Sequence, residues 1–166
     1  MLLGRYYAIF VAANIFAEVL TMQVRPMTAA DKEITIPMVL QFYDGPAVEH
    51  AVPMDTIQKV FADAVGDNPH LEGFILEEEG EVVGFAYLTF FYACEVAGKV
   101  IMIEELFVKE EHRSKGYGQQ FMDWLYSAYP EVIRFRLEIT PENPAIHLYR
   151  RNGFVELTYG QMVYDR

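Results

Sequence analysis

Apolar positions along the chain change their spacing several times, and each change marks an element. Residues 22–27 suit a first strand, and Thr28-Ala29-Ala30-Asp31 then has the form of a capping box with Asp in place of Glu. A helix is expected from there to about Phe42, with Asp44-Gly45-Pro46 as its breaker. Ile57, Val60, Phe61 and Ala64 recur at helical spacing, so a second helix is expected to start near Pro53 and to end at Gly66-Asp67-Asn68-Pro69. Residues 71–78 and 81–94 are aromatic and β-branched runs on either side of Glu79-Gly80, which reads as an antiparallel hairpin. Residues 100–108 form the next strand. It is apolar throughout except for Glu104 and Glu105, the pattern of a central strand buried on both faces.

Further on, Phe121, Met122, Trp124, Leu125 and Ala128 share one face of a third helix, which Tyr129-Pro130 stops. Ile133, Phe135, Leu137 and Ile139 alternate with Arg134, Arg136 and Glu138, the period of a strand with one face less buried. Asn143 suits an N-cap, Pro144 a first helical residue and Gly153 a C-cap, which together predict a short fourth helix. Residues 154–158 and 161–164 close the chain as a hairpin around Gly160. The whole reads as a mixed sheet covered by helices.

At 166 residues without repeats or low-complexity runs, the chain fits one domain. Its net charge of −11 repels phosphate backbones and disfavours nucleic-acid partners, whereas a small cationic substrate suits that field. Cys94 is the single cysteine, so no internal disulfide is available, and no Cys/His spacing resembles a metal site. The cytoplasm is the expected compartment. Residues 1–21 have a charged start and an apolar run over residues 6–17 like that of a secretion signal, but Glu18 ends the run well short of a membrane span. They read as an added packing helix, at a subunit contact if the chain forms a homodimer, with the domain proper over residues 22–166.

The stretch His112-Arg113-Ser114-Lys115-Gly116-Tyr117-Gly118-Gln119 carries the first candidate chemistry. A strand that enters a turn of the form Arg-x-x-Gly-x-Gly and then a helix presents unpaired backbone N–H groups, where a phosphate is well held. Glycine at 116 and 118 would let the ligand approach the backbone. A dinucleotide-binding turn lacks its third glycine here, since position 121 is Phe, and a P-loop would need Lys and then Ser or Thr where Gln119 and Gln120 stand.

Residues 113–118 resemble the R/Q-x-x-G-x-G/A pyrophosphate loop of the GCN5-related N-acetyltransferases, behind a strand of their I-E-x-L-x-V form. Residues 143–154, Asn-Pro-Ala-Ile-His-Leu-Tyr-Arg-Arg-Asn-Gly-Phe, resemble that family's later N-x(1–2)-A-x-x-L-Y-x-x-x-G-F segment. The resemblance spans roughly residues 22–166. It departs in spacing: one residue separates Asn143 from Ala145, where many members have two. The fold it implies is mixed α+β, with a mostly antiparallel sheet of about six to seven strands flanked by about four helices.

The resemblance implies acetyl transfer from acetyl-CoA to an amine by direct attack in a ternary complex. It implies that the pantetheine arm pairs like an extra strand with Leu106, Phe107 and Val108, where a backbone N–H polarises the thioester. It further implies that Arg113, Ser114, Lys115, Gly116, Tyr117, Gly118 and Gln119 hold the pyrophosphate, with Asn143 as a further cofactor contact. Tyr149 matches the tyrosine that serves the departing thiolate. An alkyl ammonium titrates near ~10.4 and attacks only when neutral, so a carboxylate beside the thioester can accept its proton. Glu104 is the first candidate for this base. Neighbouring residues of a regular strand point to opposite faces, so Glu104 and Glu105 cannot both face one cleft unless the strand is irregular. A purely structural alternative pairs one or both with Arg134 or Arg136. The segment over residues 42–52 reads either as a cation-binding lip for the acceptor or as a plain connection. The small-amine acetyltransferase reading competes with acetylation of protein or peptide amines and with a non-catalytic acyl-CoA sensor.

Overall fold

The runs richest in aromatic and β-branched residues form the two longest strands, Glu81–Ala93 (β3) and Gly98–Val108 (β4). In this computed structural model, which describes residues 22–45 and 51–164, they lie side by side within a single sheet. Gln23–Pro26 (β1) and Leu71–Glu78 (β2) precede them and Arg134–Leu137 (β5) follows, in the order β1-β2-β3-β4-β5. All pairings are antiparallel except the last, β4 with β5, which is parallel. The helices are Lys32–Tyr43 (α1), Met54–Ala64 (α2), Tyr117–Ala128 (α3) and Ile146–Arg151 (α4). The helix expected over residues 1–21 lies outside the described residues.

Alternation along the strands divides the core between the two faces. Ile75, Phe85, Tyr87 and Phe107 pack with Met38 and Val39 of α1 and with Ile57 and Phe61 of α2. On the opposite face Leu76, Ala86, Leu88, Ile101 and Ile103 pack with Phe121, Met122 and Leu125 of α3. The chain enters α1 through the expected capping residues. The Asp31 carboxylate accepts hydrogen bonds from Thr28 N and Oγ1 at 2.7 and 2.8 Å, and from the Arg25 guanidinium at 2.7 and 2.9 Å.

One expected element does not form. Residues 154–164 belong to no strand, and Val155, Leu157, Tyr159, Met162, Val163 and Tyr164 are exposed. Alternation and a glycine supply strand propensity, but a strand exists only when a neighbouring edge pairs with its backbone. The four residues of β5 pair with β4 alone. The described sheet therefore has five strands rather than six to seven.

Candidate active site

The centre of β4 is irregular at the two glutamates. Tyr87 pairs with Glu105 and Leu88 with Ile103, so Glu104 is an extra residue in a β-bulge. The bulge reverses the alternation of faces. Before it, Ile101 and Ile103 face α3; after it, Phe107 packs on the side of α1 and α2, and Glu105 takes a hydrogen bond from Tyr43 at the end of α1. Glu104 and Glu105 both lie close enough to Tyr43 to act on its ionisation, and burial with these two carboxylates holds that phenol well above its ordinary range. The condition of a regular strand, which would have sent them to opposite faces, is thus not met.

Glu104 is exposed, and its Oε1 accepts a hydrogen bond from Thr89 Oγ1 at 2.5 Å. Glu105 is buried. Its Oε1 accepts the Tyr43 hydroxyl at 2.6 Å, while Oε2 meets no donor among the described residues. Burial pushes the Glu105 carboxyl up to about 7; the Tyr43 hydrogen bond works against that rise and nearby Glu104 adds to it. Neither glutamate pairs with Arg134, whose guanidinium meets Glu95 at 2.6 Å.

β5 leaves β4 at the same level. Their pairing runs from Val100 with Arg134 to Ile103 with Leu137 and goes no further. From Glu105 to Val108, β4 keeps its pairing with β3 on one side, while the edge toward β5 is unpaired. On that edge Val108 O accepts from Arg113 Nε, and the remaining backbone groups of the Leu106 to Val108 stretch that face it suit an extended polar ligand that adds to the sheet as another strand.

That edge leads into the glycine turn. Ser114 and Gly116 have φ of 63° and 86°, so the backbone curls through the left-handed region before the first turn of α3. The result is a nest of N–H groups at a helix N-terminus, which favours an anion. A Cβ built at Gly116 would meet nothing within 4 Å. Gly118 has a different requirement: a Cβ there would lie 2.8 Å from Leu148 Cδ2, so its small size serves the packing of α4 on α3.

The side chains of the turn serve largely to hold it. Arg113 Nε donates to Val108 O at 3.0 Å, with its guanidinium 5.8 Å from the centre of the Phe107 ring. Lys115 Nζ is 3.4 Å from His112 Nδ1 and 5.9 Å from the centre of the Tyr117 ring. The Tyr117 ring is buried, which leaves its backbone to the turn. Gln119 exchanges amide hydrogen bonds with Asn152 at 2.9 and 3.0 Å, tying α3 to the end of α4. Ser114 is exposed.

Asn143 spends its side-chain oxygen on the backbone, accepting from Ala145 N at 2.9 Å. It caps a turn before α4, which begins at Ile146, later than Pro144 had suggested. Tyr149 of α4 is 8% exposed and meets Phe154 edge-on at 5.8 Å. Burial pushes its phenol up to about 12, so the hydroxyl stays protonated as a donor. Tyr43 and buried His112 were the neighbours of the site left unassigned by sequence reading. A signal for Tyr43 exists in its i,i+4 spacing from Val39, which puts both on one face of α1.

A bulged central strand, a parallel neighbour that splays from it and a glycine turn opening a helix define an acyl-CoA-binding α+β fold. The Acetyltransferase (GNAT) family model matches residues 38–154, and the chain belongs to this family. It is an N-acetyltransferase with acetyl-CoA as co-substrate. Among solved structures, it is similar to a possible acetyltransferase from Clostridium difficile 630 at 16% identity and a TM-score of 0.75, over 88% of this chain and 98% of that one. It is similar to AAC(6')-Iy, in complex with the bisubstrate analog CoA-S-monomethyl-acetylneamine, at 20% identity and a TM-score of 0.69, over 87% and 98% of the two chains. A ribosomal-protein-alanine N-acetyltransferase from Brucella melitensis biovar Abortus 2308 is similar at 15% identity and a TM-score of 0.68, over 88% and 99%. At such identities the likeness is one of fold. No helix among the described residues is long and apolar enough to cross a membrane, and no His/Cys/Asp/Glu group among them could hold a metal ion.

Proposed function

We propose that this chain transfers the acetyl group of acetyl-CoA to a primary amine of a small cationic molecule, by direct attack within a ternary complex. The observation that carries the reading is the coincidence, at Glu104, of the β4 bulge with the point where β5 departs. A carboxylate therefore stands beside the open edge on which the thioester would lie. Glu104 is exposed and takes the proton of the incoming ammonium, directly or through water. The freed nitrogen bonds to the acetyl carbon and the C–S bond breaks. Tyr149 then supplies a proton or hydrogen bond to the departing sulfur. Leu106, Phe107 and Val108 hold the extended arm through their backbone, and the turn from Arg113 to Gln119 holds the pyrophosphate. Lys115 adds charge there. The net charge of −11 favours a cationic acceptor over an acidic one.

The test is CoA release from acetyl-CoA by purified protein over a panel of small primary amines and of peptides with free amino groups. Release with a small amine is expected. Glu104→Gln should lower turnover most near neutral pH and recover part of it at alkaline pH, where more of the amine is neutral. Release with peptides alone would transfer the reading to protein amines. Tight acetyl-CoA binding without release to any acceptor would make the chain a sensor.

A further inference from the structure

The tyrosine assigned to the departing sulfur sits on a short helix. α4 spans six residues, Ile146–Arg151, too few to persist on backbone bonds alone. β5 before it pairs with β4 alone, and residues 154–164 after it belong to no strand. The Tyr149 ring is buried against Phe154, yet its hydroxyl bonds to no described residue. Whatever fixes that hydroxyl therefore acts through the backbone and packing of α4.

The residues just past the helix supply a fixed point. Asn152 N donates to Tyr149 O at 3.0 Å, and Phe154 N donates to the same carbonyl at 3.1 Å. Between them Gly153, with φ of 85°, turns the chain so that both reach it. Three hydrogen bonds fix the Asn152 amide: it donates to Gln119 Oε1 and to Leu148 O, each at 2.9 Å, and accepts from Gln119 Nε2 at 3.0 Å. Gln119 lies in the first turn of α3 and is braced there by Asp123 Oδ1 at 2.9 Å. Among the described residues no other side-chain hydrogen bond joins α4 or its cap to α3. Leu148 against Gly118 is the apolar part of the same contact. Apolar contact is non-directional and lets a short helix slide or roll, whereas a reciprocal amide pair is directional in both senses and sets one register.

We propose that Asn152, clasped by Gln119, is a positioning residue for acetyl transfer: it registers α4 against α3 and thereby places the Tyr149 hydroxyl at the departing sulfur. That Tyr149 serves the sulfur rests on the acetyl-transfer reading above. The turn assigned to the pyrophosphate ends at Gln119, so cofactor and proton donor are referred to one point of α3. A misplacement of about 1 Å can cost ~10²-fold in rate. Through Tyr149 the loss cannot exceed that of removing its hydroxyl.

The test is Asn152→Ala, read by kcat and acetyl-CoA KM with any amine that accepts acetyl. A signature independent of turnover is the 19F resonance of Tyr149 in 3-fluorotyrosine-labelled protein, assigned by its loss in Tyr149→Phe. kcat should fall by about tenfold, below the ~10²-fold ceiling set by Tyr149→Phe. Acetyl-CoA KM should stay within about twofold, because Gln119 keeps its bond to Asp123. The Tyr149 resonance should shift or broaden. In the Tyr149→Phe background the same substitution should change kcat by less than about twofold, since its effect passes through that hydroxyl. Asn152→Asp keeps the bond from Gln119 Nε2 and loses both donations, so its kcat should lie between those of wild type and alanine; if Asn152→Ala does not fold, this variant decides by the same readouts. An unchanged kcat, a lower kcat with an unmoved Tyr149 resonance, or an equal fall in the Tyr149→Phe background would overturn the positioning role. A moved resonance in a protein that acetylates nothing would overturn the transfer reading and leave the clasp standing; acetyl transfer with an unmoved resonance would overturn the clasp alone.

Discussion

Two glycines of this chain are matched in strain and differ in position, so one alanine substitution can serve as the control for the other. Gly116 has φ of 86° and Gly153 has φ of 85°, and a Cβ at either would meet nothing within 4 Å. In both, alanine suffers only the left-handed backbone, about 1–2 kcal/mol. For a chain of this size that lowers the unfolding temperature by about 2–8 °C in each variant. The consequence for binding should differ. At Gly116 the new methyl group enters open space at the turn, and a pyrophosphate held against the turn's backbone, as proposed above, would be obstructed by it. Loss of one hydrogen bond to a charged group, about 1.5–3 kcal/mol, weakens acetyl-CoA by roughly ten- to hundredfold. At Gly153, which follows α4, affinity should stay within about twofold of wild type, less than ~0.5 kcal/mol. Calorimetric titration of acetyl-CoA into each variant, beside thermal unfolding of the same samples, makes the comparison. If Gly116→Ala binds acetyl-CoA as well as Gly153→Ala does, the turn does not hold the pyrophosphate and the assignment of residues 113–119 fails.

Tyr149→Phe should leave acetyl-CoA affinity and thermal stability nearly unchanged, because its hydroxyl bonds to no described residue and the ring packing on Phe154 is kept. Its turnover should fall by about 10²-fold or less, since a thiolate is already a good leaving group, and unchanged steady-state turnover would return the residue to packing. Asp31 is held at about 2, chiefly by the Arg25 guanidinium, with the Thr28 hydrogen bonds contributing. Its folded pKa lies below the unfolded value of ~3.9, so its stabilisation is complete above that value and is lost as pH falls toward 2. Asp31→Asn should be less stable at neutral pH by roughly 1–2 kcal/mol, allowing for the partial exposure of Arg25, and should lose less of its stability on acidification. Parallel acid-unfolding curves for the two proteins would contradict this.

What the sequence determined by itself was mostly local. The capping residues before α1, the hairpin of β2 and β3, the positive φ of Gly116 and the amphipathic face of α3 follow from neighbouring residues, and both family motifs fall within short stretches of chain. The tertiary structure decided whatever depends on a partner far along the chain. The extra residue at Glu104 arises from register against Tyr87 and Leu88, and register is a property of two strands. Without it, strict alternation would have separated Glu104 from Glu105; with it, both stand near Tyr43. Gly118 looks like a second ligand-facing glycine until Leu148, thirty residues later, is seen against it. Gln119 reads as a turn residue and proves to be half of an amide pair with Asn152. Residues 154–164 carry the spacing of a hairpin and yet form no strand, because spacing supplies propensity whereas a strand also requires an edge with which to pair.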